Sequence, residues 1–282
     1  EVEHAVFGNV IHTEPRDMYV SRVIALQAGM EKSSAALTVN RLCGSGLQAI
    51  VSASQILMLG DASIAMAGGV EVMSNGAHIV QGFRWGSRMG DGQVHDMMLG
   101  ALHDPFGHGH MGITAENISS RYQISREMQD EFALTSQKRA HEAIENGNFK
   151  DQILPIEIKT RKGIEIFEID EHPKPDTSIE TLSGLRTAFK KDGVVTAGNA
   201  SGINDGASAL VLANEEKAKN GKPLARIVSY GFGGVDPDEM GMGPVPASKM
   251  ALSKAQLTVS DLDLIESNEA FAAQACAVNK QL

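Results

Sequence analysis

Cysteine is scarce in this sequence, because the 282 residues contain only Cys43 and Cys276. Two cysteines so far apart do not make a disulfide framework, so a reducing, cytoplasmic compartment is the simplest expectation. Long apolar runs are also missing. No uninterrupted stretch reaches about 18 residues, which predicts no membrane span. No signal peptide is expected either, since the opening residues lack a basic region followed by an apolar core.

Aromatic and basic residues are also few. Aromatic side chains make up 5% of the chain, and 25 basic against 35 acidic residues give a net charge of −10, which argues against a general nucleic-acid binder. Residues 161–191 are neutral overall and offer a less negative face for a polyanionic ligand, although composition alone favours an ordinary solvated surface. Glycine (29) and methionine (13) are plentiful, which favours close backbone packing and pliable apolar walls.

The first seventy residues alternate between strand and helix patterns. Strands are predicted at 5–11, 35–40 and 63–73, and helices at 18–30 and 44–60. This order predicts an α/β fold with a mostly parallel sheet covered on both faces. Further strand-containing units are predicted at 223–234 and 261–279.

The composition changes between about residues 74 and 198. Glycine, histidine and methionine cluster at 82–112, an amphipathic helix is predicted at 125–146, and a β-like run follows at 151–159. These features predict a loop or lid domain inserted into the α/β framework.

Cys43 lies in the stretch VNRLCGSGLQAI, at the predicted turn from a strand into a helix. The first amides of a helix have no internal partners, and their partial positive charge favours a reactive thiolate. Gly44 and Gly46 would let backbone and substrate approach closely and leave the sulfur uncrowded. The residues alone leave two interpretations open, an acyl-enzyme nucleophile and a buried structural cysteine, since cysteine is among the most buried residue types.

Six sequence blocks in order resemble the thiolase family, and the resemblance covers essentially the whole chain. They are VNRLCGSGLQAI (39–50), GDASIAMAGGVEVMS (60–74), HGHMGITAEN (108–117), TAGNASGINDGASALVL (196–212), MGMGPVPAS (240–248) and ESNEAFAAQA (266–275). The sequence is most similar to the branch of bacterial acetyl-CoA acetyltransferases and β-ketothiolases.

This resemblance implies a layered α/β/α/β/α fold built from two similar halves. The N-terminal half would comprise 1–73 and 199–220, the inserted loop domain 74–198, and the start of the C-terminal half 221–282, so that the second half is incomplete. The implied activity is reversible cleavage of 3-ketoacyl-CoA, or condensation of acyl-CoAs, with CoA as substrate and no permanently bound cofactor. A cytoplasmic homotetramer, a dimer of dimers, is also implied, with residues 84–92 resembling the loop that pairs the dimers.

The resemblance assigns roles to individual residues. Cys43 matches the nucleophile that carries the acyl group, and Asn268 matches the asparagine that holds a water in an oxyanion hole. By itself Asn268 is more typical of a helix N-cap, and it would serve as both. The CoA contacts carried over are Leu102, His110, Met111, Lys174, Phe189, Ala197, Ser201, Gly202, Met240 and Phe271. Without the resemblance, the apolar members would be interpreted as core residues, and Ser201 and Gly202 as turn formers.

A metal site is not expected. His95, His103, His108 and His110 have no compact zinc spacing, and neither cysteine lies near them in the sequence. Cys276 lies within the predicted helix after Asn268 and is expected to be a core residue.

The match lacks two family motifs, a Gly-His-Pro histidine base and a second catalytic cysteine, which thiolases carry downstream of the NEAF motif. Two hypotheses stay open. In one, the protein is a thiolase and these motifs lie beyond Leu282. In the other, the chain is a catalytically incompetent fragment that binds acyl-CoA. The intact mass distinguishes them. Synthetic or degradative direction and acyl-chain length are not determined by these residues.

Overall fold

The computed structural model describes residues 1–219 and 221–282. Its strands are β1 (His4–Gly8), β2 (Ala35–Val39), β3 (Ile64–Val72), β4 (His78–Val80), β5 (Val94–Asp96), β6 (His103–Asp104), β7 (Gly109–His110), β8 (Ile156–Thr160), β9 (Gly163–Phe167) and β10 (Asp205–Ala213). Its α-helices are α1 (Val20–Gln27), α2 (Ser45–Leu59), α3 (Met97–Ala101), α4 (Met111–Tyr122), α5 (Arg126–Glu145), α6 (Ile179–Ser183), α7 (Glu215–Ala218), α8 (Pro244–Ala255) and α9 (Ala272–Gln281).

The chain forms two compact units, each assembled from separated stretches. The first unit comprises Glu1–Pro105, Ile203–Gly231 and Met250–Gln256. The second unit comprises Phe106–Gly202, Phe232–Lys249 and Leu257–Leu282. The predicted domain boundaries after residues 73, 198 and 220 stay a prediction, and Asn220 itself lies outside the described residues.

A four-stranded sheet in the order β10-β3-β1-β2 organises the first unit. Strand β1 is parallel to both neighbours, so Val6 pairs with Leu37 on one side and with Ala67 on the other. Side chains alternate across the sheet. Ala5 and Phe7 therefore pack with helix α1, while Val6 packs with helix α2. This confirms the predicted strand–helix order and the covering of both faces.

Strand β10 is the one antiparallel member of this sheet, paired along its length with β3. The two strands approach closely at Gly68, where a Cβ atom would lie 2.1 Å from the carbonyl oxygen of Ser208. Only glycine permits that approach without moving the backbone.

The segment Leu42–Leu59, which includes helix α2, combines helical length with high hydropathy. Leu42–Leu59 has a mean hydropathy of 1.5 over 18 residues, long and apolar enough to cross a membrane by length and composition alone. The run is not uninterrupted, because uncharged serines and glutamines divide it, so the expectation of no continuous apolar stretch of this length stands. The evidence for a span is weak, since Ala49, Ala53 and Leu57 of this helix pack against the sheet as an ordinary core helix does.

Helices form the core of the second unit. Ile118 and Ile124, from α4 and the turn after it, pack against Ala277 and Val278 of α9, together with Met242. The predicted amphipathic helix is confirmed as α5, which begins after the N-cap Ser125. Of the β-like run predicted at 151–159, residues 156–159 lie in strand β8 of the hairpin β8–β9, and residues 151–155 form no strand.

The strands predicted within 223–234 and at the start of 261–279 are absent from the described residues, while the helix predicted to end the second of these segments is present as α9. Val228 is 61% exposed and Leu264 is 79% exposed. A strand is defined by its hydrogen-bonded neighbour, and no described strand pairs with either segment. Apolar patterning identified segments rich in apolar residues here, but it does not specify a strand for them to pair with.

Candidate active site

Cys43 occupies the turn that connects strand β2 to helix α2, as the sequence predicted. The thiol is free and exposed, and Gly44 is the N-cap of the helix that follows. The sulfur is therefore carried by the residue just before a helix N-terminus, where amide groups and the helix dipole favour negative charge. The structural interpretation of Cys43 as a buried core residue is wrong.

The turn before Cys43 is strained and tied down by side chains. Leu42 has a left-handed φ of +48°, which costs a leucine roughly 1–2 kcal/mol. The Asn40 side chain accepts a hydrogen bond from the Leu42 amide at 2.9 Å. The Ser45 hydroxyl accepts from the Arg41 amide at 2.8 Å and donates to the Leu42 carbonyl at 2.7 Å. Ser45 thus closes the turn that presents Cys43, a role that sequence reasoning missed.

A glycine at the end of strand β1 lets this turn approach the sheet. A Cβ atom on Gly8 would lie 2.7 Å from Cβ of Ser45 and 2.8 Å from its carbonyl carbon. Within the described chain, a Cβ on Gly46 would meet nothing inside 4 Å, and one on Gly44 would meet only Arg41 at ordinary contact distance. Among these three glycines, Gly8 makes the tightest approach to the turn, while the role predicted for Gly44 and Gly46 toward substrate stays a prediction.

Three of the predicted CoA residues form an aromatic cluster in the second unit. The His110 ring stacks on Phe189 with centroids 4.6 Å apart and planes 19° apart. Phe189 meets Phe271 edge-on, with centroids 6.2 Å apart. His110 is also the N-cap of α4, its Nδ1 accepting the Gly112 amide at 3.0 Å. Met111 follows as the first residue of that helix, so the structure brings four predicted residues together.

Gly112 makes room for the aromatic cluster. A Cβ atom at this position would lie 2.2 Å from the Phe189 ring, far inside van der Waals contact. The ring lies against the backbone of the first turn of α4, and only glycine allows this.

The segment carrying Ala197, Ser201 and Gly202 is paired with the segment before α9. The Ser201 amide donates to the Ala270 carbonyl at 2.9 Å, and the Ala272 amide donates to the Asn199 carbonyl at 2.9 Å. Through these backbone hydrogen bonds, Ser201 lies next to Phe271 on the paired segment. Ala197, Ser201 and Gly202 are exposed.

A buried polar network supports that segment from beneath. Asn199 donates to Asp130 at 3.0 Å and accepts from the Thr196 amide at 2.8 Å. Asp130 also receives the Arg126 guanidinium at 2.6 Å. Asp130 and Asn199 are almost fully buried, so each depends on these partners. No local pattern in the sequence identified them.

The remaining predicted residues lie on other elements of the chain. Leu102 caps the end of α3 in the first unit. Met240 lies in a short 3-10 helix, and the Lys174 amide donates to the Gln137 side chain at 2.8 Å. Asn268 is exposed in the segment before α9, but Phe271 is the N-cap of that helix. The expectation that Asn268 caps the helix is therefore wrong.

Cys276 lies on helix α9, half-buried against the core of the second unit. Burial raises the pKa of its thiol above the ordinary value. Among the described residues, no group of three or more His, Cys, Asp or Glu side chains is arranged to hold a metal ion.

The comparisons with known proteins decide the family. The thiolase N-terminal domain model matches residues 1–216, and the thiolase C-terminal domain model matches residues 221–282. The chain belongs to the thiolase family. This thiolase is 59% identical to beta-ketothiolase BktB of Cupriavidus necator over 285 aligned residues, covering 100% of this chain and 72% of the relative. It is 49% identical to the acetyl-CoA acetyltransferase of Syntrophomonas wolfei, with the same two coverages.

The fold of this thiolase matches solved relatives equally well. The crystal structure of human mitochondrial 3-ketoacyl-CoA thiolase in complex with CoA superposes with a TM-score of 0.95 at 44% identity, over 99% of this chain and 70% of that chain. The predicted thiolase fold is confirmed. Membership in a family of acyl-transferring enzymes favours the enzymatic hypothesis over a fragment that only binds acyl-CoA.

Proposed function

We propose that the protein catalyses reversible thiolytic cleavage of 3-ketoacyl-CoA, the reverse being Claisen condensation of two acyl-CoA molecules. The observation that carries this proposal is the exposed Cys43 thiol, held by a strained turn at the N-terminus of α2 in a chain of the thiolase family. Strain retained beside a nucleophile is typical of a preorganised reactive group.

Cys43 would act in two half-reactions. In the first, its thiolate attacks the 3-keto carbon, the bond between the α-carbon and that carbon breaks, and acetyl-CoA leaves. The departing α-carbon takes up one proton, which balances the proton given up by the thiol. In the second, the thiol of free CoA attacks the acyl group on Cys43, and the CoA proton returns the cysteine to its starting state.

Asn268 and the second unit would supply recognition. An exposed, neutral asparagine suits the water-mediated stabilisation of a thioester enolate oxygen, which the resemblance assigns to it. The cluster of His110, Phe189 and Phe271 offers apolar ring faces for a pantetheine arm. The CoA complex of the human relative supports a CoA substrate for this chain as well. No permanently bound cofactor is part of the proposal.

The assembly and location follow from the same resemblance. We propose a homotetramer in which the loop 84–92 pairs two dimers, since Trp85 and Met89 there are 88% and 96% exposed. The two free thiols support a reducing, cytoplasmic location. The predicted N-terminal half, inserted loop domain and C-terminal half remain our proposal for how the chain is divided.

Steady-state assays of the full-length protein test the activity. Thiolysis and condensation would be measured with 3-ketoacyl-CoAs of short and medium acyl length, with Cys43→Ser as the nucleophile variant and Cys276→Ser as its matched control. Turnover is expected in both directions, abolished by the first change and retained with the second. Wild-type turnover by Cys43→Ser would overturn the assignment.

A further inference from the structure

Glu116 is a buried carboxylate for which neither the resemblance nor the reaction supplies a role. It lies in the middle of α4 and is 6% exposed. Its Oε1 accepts the amides of Val194 and Val195, each at 2.9 Å, and its Oε2 accepts the Val194 amide at 3.0 Å. In the described residues, no lysine or arginine forms an ion pair with it. A buried charge held only by backbone amides fixes the position of that backbone.

The backbone that Glu116 holds belongs to residues 187–196, here called the Phe189 loop. The loop folds back on itself, because the Ala188 amide donates to the Val195 carbonyl at 2.9 Å and Thr187 pairs with Thr196. Val194 and Val195 therefore lie on the returning side, opposite the residues that present Phe189. Because the two sides of the loop are paired, the hydrogen bonds to Val194 and Val195 also fix the position of the residues around Phe189.

Gly193 shows that the sequence leaves room for this contact. A Cβ atom there would lie 2.1 Å from Oε1 of Glu116 and 2.7 Å from its carboxyl carbon. The carboxylate thus occupies the space where any other residue would put its side chain. Glu116 also comes from the same helix whose N-cap, His110, stacks on Phe189. One helix therefore contacts the Phe189 loop at both its ring and its backbone.

We propose that Glu116 is a positioning residue for CoA recognition, acting by locking the Phe189 loop so that the Phe189 ring stays stacked on His110. This inference rests on the proposed function, in which the aromatic cluster contacts the pantetheine arm. It assigns Glu116 no contact with substrate and no proton transfer.

The test compares three variants of the full-length protein. Glu116→Gln keeps the shape but turns an amide donor toward the Val194 amide, and Gly193→Ala displaces the carboxylate from the other side. Glu131→Gln removes an equal charge from an exposed position on α5. The dissociation constant for CoA is measured by calorimetry, and KM and kcat are measured with acetoacetyl-CoA.

The first two variants are expected to bind CoA about tenfold more weakly and to raise KM more than they change kcat, from the loss of a charge-assisted hydrogen bond. Glu131→Gln should match wild type. The rate of Cys43 alkylation by iodoacetamide, which has no CoA moiety, should be equal in all four proteins. Unchanged CoA affinity in both variants, or a parallel fall in alkylation rate, would overturn the positioning role.

Amide hydrogen exchange on the wild-type protein gives a test that needs no variant to fold. The Val194 and Val195 amides should exchange far more slowly than the amide of Lys191, an exposed residue of the same loop. Equal exchange would overturn the anchoring by Glu116. A wild-type protein that shows this protection but binds no CoA would refute the proposed function while leaving the anchor in place.

Discussion

The rings of His110 and Phe189 are stacked, with centroids 4.6 Å apart and planes inclined by only 19°. The stack joins the N-terminus of α4 to the Phe189 loop. The ring of Phe271 contacts the Phe189 ring edge-on. Three residues far apart in the sequence thus form one half-buried aromatic cluster in the second unit.

Replacing Phe189 by leucine keeps an apolar side chain but removes the stack. We expect the free energy of unfolding to fall by about 0.5–1.5 kcal/mol more than the loss of buried apolar area alone would cause. We also expect severalfold weaker CoA binding. Denaturant unfolding and calorimetry measure the two effects. Phe167→Leu, on the exposed hairpin strand β9, is the matched control and should leave CoA affinity unchanged. Equal CoA affinity in wild type and Phe189→Leu would contradict a role for the stack in binding.

Ser45→Ala removes both hydrogen bonds that close the turn around Cys43. The Asn40 side chain still holds the Leu42 amide, but the turn loses both contacts of the Ser45 hydroxyl, so we expect Cys43 to be misplaced and kcat/KM to fall about 10–100-fold. Ser54→Ala is the control, because this buried serine of the same helix bonds only to the carbonyl one turn earlier. If both variants lost activity equally, the turn would have no special part in presenting the thiol.

Gly8→Ala places a methyl group 2.7 Å from Cβ of Ser45, at the start of α2. Relieving that overlap moves the helix away from the sheet, at a cost of about 1–3 kcal/mol in unfolding free energy. Thiolysis should also fall, because the same helix carries Cys43 at its N-terminus. Gly206→Ala, in strand β10 where a Cβ meets nothing described within 4 Å, should cost far less. A Gly8→Ala protein as stable as Gly206→Ala would contradict the close approach.

The two thiols should differ in reactivity. Burial raises the pKa of the Cys276 thiol, so less of it is thiolate at neutral pH, and the half-buried sulfur is also shielded. Limiting iodoacetamide is therefore expected to label Cys43 first. Raising the pH should reduce the difference between the labelling rates of the two thiols. Peptide mass spectrometry measures both, with urea-unfolded protein as the control in which the rates converge. Faster labelling of Cys276 in the folded protein would contradict its placement.

The sequence correctly predicted the features that depend on interactions between neighbouring residues. The order from β1 to β3 was predicted correctly because apolar periodicity is a property of neighbouring residues, and because a glycine with positive φ, Gly29 or Gly60, lies at the end of each of the two helices. The strands predicted within 223–234 and at the start of 261–279 were wrong because apolar content does not specify a hydrogen-bonding neighbour.

Prediction from local sequence has the same limit at the candidate active site. The residues around Cys43 left its role open and the family resemblance assigned it, whereas Gly8 and Ser45 act through an approach across 37 residues of sequence, which no local signal encodes. Glu116 and Asp130 read as ordinary polar positions of helices. Only their burial and partners in the folded chain distinguish them.

Trapping the acyl-enzyme tests the central claim most directly. The full-length protein would be mixed with acetoacetyl-CoA, quenched in acid and digested with trypsin, which places Cys43 and Cys276 on different peptides. We predict an acetyl group on the peptide of Cys43, lost on addition of free CoA and absent from Cys43→Ser. Turnover without that adduct, or an adduct on Cys276 alone, would contradict the assignment of Cys43 as the nucleophile.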